Sequence, residues 1–142
     1  MNTPLDRLKN LTSKISGYEV ARKENLTILR TLYALLKIDD KVECFDDIFL
    51  FKAINLSGIS LKEEEVGKAK EGKYLQILAI LYDKEASIKS KNISLGYFGR
   101  VEAVEKKLRE NIVEFVLRWR FEKSFKTLEH YHEMIKYIKG DI

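Results

Sequence analysis

Residues 100–139, which read RVEAVEKKLRENIVEFVLRWRFEKSFKTLEHYHEMIKYIK, decide the fold that the sequence predicts. At about 100° of rotation per helical residue, the apolar side chains of this stretch fall on two nearly opposite faces. One face holds Val101, Val104, Leu108, Ile112, Phe115 and Trp119, and the other holds Leu117, Phe121, Phe125, Leu128, Ile135 and Ile138. A straight helix would need partners on both sides. The preferred interpretation is therefore a helix that breaks near residues 120–124 and folds back. The alternative is one long helix that packs one face on its own core and the other on another subunit.

The chain upstream of residue 100 predicts further helices. Thr3-Pro4-Leu5-Asp6 has the residue types of a helix start, and Gly17 is expected to end that first helix. Helices are also predicted over residues 18–38, 48–56, 60–70 and 73–87, with a loop or hairpin over 90–99. The segment beginning at Lys73 is apolar on all sides, which places it at the centre of a bundle.

These elements predict an all-α fold, a single-domain bundle of five to seven helices over residues 1–142. Residues 1–99 would form the helical core and residues 100–142 the C-terminal helical region. The alternative fold is a winged helix-turn-helix core followed by C-terminal dimerisation helices. In that alternative the helix over 73–84 reads DNA and residues 87–98 form the wing.

Composition bounds the class of protein. The 142 residues are 45% hydrophobic, which is enough for one core, and no apolar run is long enough to span a membrane. We expect a cytoplasmic protein, because the first residues do not form a secretion signal. Cys44 is the only cysteine, so the sequence excludes an internal disulfide. The abundance of Lys, Glu, Ile, Leu and Tyr is typical of proteins from hot habitats.

No catalytic pattern is visible in the sequence. It contains neither a phosphate-binding glycine loop nor a Gly-x-Ser-x-Gly turn. Glu129 and His132 have the spacing of a metal-binding pair in helical bundles, but the sequence has no second copy of that pair. We therefore expect a protein that is not an enzyme and that uses no cofactor and no metal.

The charge distribution supplies the main functional hypothesis. Residues 84–126 contain eleven Lys and Arg against six Glu, whereas the rest of the chain has fifteen basic against sixteen acidic residues. Such a surplus next to aromatic side chains predicts contacts with the phosphate backbone of DNA or RNA. The protein would then be a nucleic-acid-binding accessory protein, alone or as a subunit of a larger nucleic-acid-processing assembly. The predicted contact residues are Arg100, Lys107, Arg109, Arg118, Arg120 and Lys123.

Two other functions remain open at this point. The first is a protein–protein interaction or oligomerisation module without nucleic-acid contact, whose partner is a second copy or a larger protein assembly. Its interface would be Phe121, Phe125 and Leu128, because aromatic side chains are common anchors of interfaces. The second is a winged-helix transcription regulator. A membrane partner is not expected.

Overall fold

The fold is mixed α/β, and the all-α prediction is wrong. A computed structural model describes residues 3–82 and 90–140, with side chains throughout those ranges except at residues 12–16, 82 and 90. Two long helices accompany a three-stranded antiparallel sheet with strand order β1-β2-β3. In chain order the elements are α1 (Pro4–Leu35), β1 (Ala53–Ser57), β2 (Tyr74–Tyr82), β3 (Ser90–Arg100) and α2 (Lys106–Lys139), with short 3-10 helices at Ile38–Asp40, Phe45–Leu50 and Val101–Ala103.

Helix α1 starts where the sequence predicts but continues far beyond the predicted end. The Thr3 hydroxyl accepts a hydrogen bond from the Asp6 backbone N–H at 3.1 Å, and the Asp6 carboxylate accepts one from the Thr3 N–H at 3.3 Å. The helix passes through Gly17 without a break. A glycine inside a helix costs only about 1 kcal/mol, which the packing of later turns can offset. The first two predicted helices are therefore one.

The segment after Lys73 is a central strand and not a central helix. Leu75, Ile77 and Ala79 of β2 are fully buried, while the side chains between them are partly buried. A central strand with cover on both faces appears in the sequence as a continuous apolar run, which spacing alone does not distinguish from a buried helix. Residues 83–87 of the predicted helix lie outside the described residues.

The segments on either side of β2 also contain strands where the sequence predicts other elements. The helix expected over residues 48–56 is the Phe45–Leu50 3-10 helix followed by β1, and the loop or hairpin expected over 90–99 is strand β3. Register pairs Ile54 with Ala79 and Ile77 with Gly96.

The winged helix-turn-helix alternative is also wrong. Residues 60–70 form turns closed by a bridge between Ile59 and Ala69, and residues 73–82 lead into and form β2. The helix that would read DNA is therefore a strand over its described residues. Residues 87–89 of the predicted wing lie outside the part that the structure describes.

Helix α2 runs unbroken from Lys106 to Lys139, so the predicted break near residues 120–124 is wrong. Its inner face is buried and carries Ile112, Phe115, Val116 and Trp119. The nearly opposite face lies outside the core, as the alternative of a long two-sided helix requires. Whether another subunit covers that face stays a prediction.

The sheet, the 3-10 helices and the two long helices share one core. Leu29 and Leu32 of α1, Ile54 of β1 and Phe115 of α2 all belong to it. No helix within residues 3–82 and 90–140 combines the length and the apolar character needed to cross a membrane.

Candidate interaction surface

A buried ion pair joins the two long helices. Glu122 of α2 is 1% exposed, and Arg22 of α1 donates to both of its carboxylate oxygens at 3.0 and 2.8 Å. Arg22 also pairs with Glu129 at 3.2 Å and lies 4.6 Å above the ring of Phe125. The hydrogen bonds that Arg22 donates to Glu122 raise the pKa of Arg22 above its ordinary value. Asn25 adds a hydrogen bond from its side-chain amide to the Arg118 carbonyl oxygen at 2.9 Å. These contacts show that the helices run antiparallel.

Three of the six predicted nucleic-acid contacts hold α2 against the rest of the fold. Arg118 donates to Glu114 at 2.7 Å and to the Asn25 side-chain oxygen at 3.1 Å. Arg120 donates to the Ile54 carbonyl oxygen and to the Asn55 side-chain oxygen, both at 3.2 Å. Lys123 donates to the Phe49 carbonyl oxygen at 2.7 Å. These three cations already have acceptors within the chain.

The other three predicted contacts are at the end of β3 and in the first turn of α2. Arg100, at the end of β3, is 3.5 Å from Glu102, and Lys107 is exposed in the first turn of α2. Arg109 is partly buried, and its Nε has no acceptor among the residues that the structure describes. Arg109 and Arg118 line one cavity of the structure, and Arg120 and Lys123 line another.

The ammonium group of Lys123 gives one prediction. Burial lowers the pKa of Lys123 below its ordinary value of 10.5, and the nearby Lys126 adds to the shift. The unfolded chain then holds the proton to higher pH, so this site adds stability as pH rises through the folded pKa towards 10.5. We expect the Lys123→Met variant to lack this rise, whereas Lys126→Met retains it. Urea unfolding of each variant between pH 8 and 10.5 checks it, and equal pH slopes in all three proteins would contradict it.

A groove lies between the outer sides of the two long helices. This α1–α2 groove has a volume of about 710 Å³ and is bounded by α1 residues 21–28, by Val66 and Gly67, and by α2 residues 106–121. Ile28, Val113, Leu117 and Phe121 make its lining mainly apolar. Glu24 on α1 and Glu110 on α2 are exposed carboxylates at its edges. A second groove of about 630 Å³ separates α2 from β1 and includes Arg120 and Lys123.

The outer face of α2 carries an apolar row that begins between these grooves and continues to the end of the helix. Its members follow one another at alternating steps of four and three residues, which is the spacing of a coiled-coil interface. We call this row the outer seam, and it consists of Leu117, Phe121, Ser124, Leu128, Tyr131, Ile135 and Ile138. Leu128, Tyr131, Ile135 and Ile138 are 65, 56, 54 and 82% exposed.

The three residues predicted as an interface have different surroundings. Phe121 and Phe125 pack edge to face with ring centroids 5.1 Å apart, and Phe125 also lies 6.0 Å from Tyr18. Phe125 therefore belongs mainly to the contact between α1 and α2. Leu128 is exposed and belongs to the outer seam.

Sequence reasoning missed two features of this surface. Tyr131 was not among the predicted interface residues, although its spacing from Leu128 and Ile135 fits the seam. Glu122 was not recognised as buried, although it follows Phe115 and Trp119 at core-facing spacing. The α1–α2 groove, by contrast, requires the helix pairing and has no signal in the sequence.

Among the residues described, no three His, Cys, Asp or Glu side chains are grouped closely enough to hold a metal ion. Comparisons with known protein families, with curated proteins and with solved structures found no match to this chain. The candidate surface is therefore interpreted from its own geometry.

Proposed function

We propose that this chain is a protein-interaction module that binds a helix along the outer seam of α2. The observation that carries this proposal is the exposure of the seam on a helix that residues 112–122 already attach to the core through another face. The cytoplasmic location predicted from the sequence is part of the proposal.

The C-terminal third of α2 supports it most directly. All residues from Lys126 to Ile135 are exposed, and in this part of the helix only Lys136 is partly covered. Apolar side chains on such a segment do not stabilise the single chain, because they are not removed from water. Exposed apolar surface instead promotes association. Yet Leu128, Tyr131, Ile135 and Ile138 recur at seam positions. A helical partner would cover them together.

The hydrogen bonds that the predicted contact residues make within the chain weigh against the nucleic-acid hypothesis. Phosphate binding by Arg118, Arg120 or Lys123 would compete with their hydrogen bonds inside the chain. Trp119 is 2% exposed and cannot stack on a base without leaving the core. Nucleic-acid binding by these residues stays a prediction without support from the geometry.

The test compares two tyrosines on the same arm of α2. Tyr131 lies on the outer seam, and Tyr137 is more exposed but lies on another face of the helix. Each is replaced in turn by the photo-crosslinking residue benzoylphenylalanine in the full chain. We expect protein adducts from position 131, either to another copy or to a different protein, and few from position 137. Equal labelling from both positions would contradict the proposal.

A second measurement separates the two functions. Fluorescence anisotropy with single-stranded DNA, duplex DNA and RNA, over a salt series, should show no binding tighter than the nonspecific range of about 10⁻⁴ to 10⁻⁶ M at physiological salt. Tighter, salt-sensitive binding that is lost when Arg118 and Arg120 are replaced by alanine in a folded protein would favour the nucleic-acid function instead.

A further inference from the structure

We infer that the helix bound to the outer seam is α2 of a second copy of this chain, running antiparallel to the first. This inference rests on the proposed function and names its partner. It is argued from the register of the seam, the shape of the α1–α2 groove and the charges around it.

The seam residues define a register between the two copies. In an antiparallel helix pair, two seam residues that face each other occupy different kinds of position. Along the chain, the next seam residue is three positions further on for one of them and four positions further on for the other. One such register places Ser124 opposite Leu128 of the second copy, Phe121 opposite its Tyr131, and Leu117 opposite its Ile135. Twofold symmetry repeats every pair. The small side chain of Ser124 thus lies opposite a larger one, which suits close packing.

The same register fills the α1–α2 groove. Residues 131–139 of the second copy lie level with residues 113–121 of the first, which line the groove. Along α2 the groove extends over residues 106–121, or about 22 Å, which is long enough for this helix end. Ile135 and Ile138 of the second copy would meet Val113 and Leu117. Each copy gives one helix end and receives another, so both exposed features are covered at once.

Charges around the groove favour the antiparallel direction. The ion pairs within the described residues include neither Glu24 nor Glu110. In the proposed register, Lys139 of the second copy comes level with the turn between Glu110 and Glu114. The last carbonyl groups of that helix, its negative end, point towards Lys106 and Arg109. A parallel pair would instead place each of these charges beside its own counterpart.

Sedimentation equilibrium of the full chain tests the second copy as partner. We expect a mass twice that of the 16.6-kDa chain. Ile135→Asp should weaken the dimer about 100-fold or more, since it places a charge in the seam opposite Leu117 of the other copy, in both halves of the dimer. Tyr137→Asp is the matched control and should leave the dimer unchanged. Because both side chains are exposed in the single chain, both variants should unfold in urea like the original protein at concentrations below the dissociation constant of the dimer.

A charge exchange tests the direction. Glu110→Lys and Lys139→Glu should each weaken the dimer about 2- to 25-fold, because an exposed ion pair counts for about 1.4- to fivefold and the dimer contains it twice. The double variant should restore it. Within one copy these residues are about 43 Å apart along α2, so rescue can arise only between antiparallel copies.

Several results would overturn the inference. They are a chain that stays monomeric at about 1 mM, a dimer that tolerates Ile135→Asp, and a charge exchange without rescue. A monomeric chain whose position 131 still crosslinks to a different protein would overturn this inference and leave the proposed function standing. A monomeric chain with no preference for position 131 would remove both.

Discussion

Replacing Arg22 with alanine should lower the free energy of unfolding by about 3–5 kcal/mol, because the carboxylate of Glu122 would be left buried without its partner. The same change removes the cation above the Phe125 ring. Urea unfolding followed by circular dichroism at pH 7 measures the loss.

Arg30→Ala is the matched control for this prediction. Arg30 lies on the same helix, 4.4 Å above the ring of Phe45, and has an exposed side chain. Its loss should cost about 0.5–1 kcal/mol. The double variant Arg22→Met with Glu122→Leu should recover most of the lost stability, since an apolar pair can replace a buried ion pair. A cost for Arg22→Ala no larger than that for Arg30→Ala would show that Glu122 does not depend on Arg22.

Replacing Trp119 with alanine should also cost about 3–5 kcal/mol, through the cavity left in the core. The indole is 2% exposed, stacks on Phe49 with ring centroids 6.5 Å apart, and donates to the Ile48 carbonyl oxygen at 2.8 Å. Trp119 therefore attaches α2 to the Phe45–Leu50 helix.

Trp119→Phe separates the two contributions of this side chain. Phenylalanine keeps much of the ring contact but leaves the Ile48 carbonyl unpaired, at a cost of about 1–3 kcal/mol. Because Trp119 is the only tryptophan, circular dichroism rather than fluorescence should follow the unfolding. An alanine variant no less stable than the phenylalanine variant would show that ring packing contributes little here.

The sequence predicts the ends of this fold better than its middle. The start of α1 depends on local hydrogen bonds of Thr3 and Asp6, which a few neighbouring residues specify. The two apolar faces of α2 likewise follow from helical spacing alone. For the break near residues 120–124 the sequence has neither glycine nor proline, and the preference for it came only from the need to cover both faces.

The sheet was missed for a physical reason. In β2, Leu78 and Ile80 are as apolar as the buried Leu75 and Ile77, because the side chains on the second face are also partly covered. The alternation that identifies a half-exposed strand is therefore weak. The pairing of Ile54 with Ala79 joins residues 25 positions apart, and no local pattern reports it.

The candidate surface was predicted in part. The second apolar face of α2 follows from spacing. The structure leaves Leu128, Ile135 and Ile138 of that face exposed, whereas Phe121 and Phe125 are partly buried. The hydrogen-bond acceptors of the cations do not follow from spacing, because they are mostly backbone carbonyls or side chains from distant segments. Lys123 finds Phe49 and Arg120 finds Ile54, contacts that form only once the chain has folded.

The hydrogen bond from Arg120 also bears on how this protein avoids aggregation. Strand β1 is at one edge of the sheet, and an edge strand can add a strand from another molecule and start a growing stack. The Arg120 guanidinium donates to the Ile54 carbonyl of that strand, beside the groove between α2 and β1. A cation whose charge suggests a nucleic-acid ligand thus hinders strand addition at the β1 edge, on the side of the sheet that faces α2.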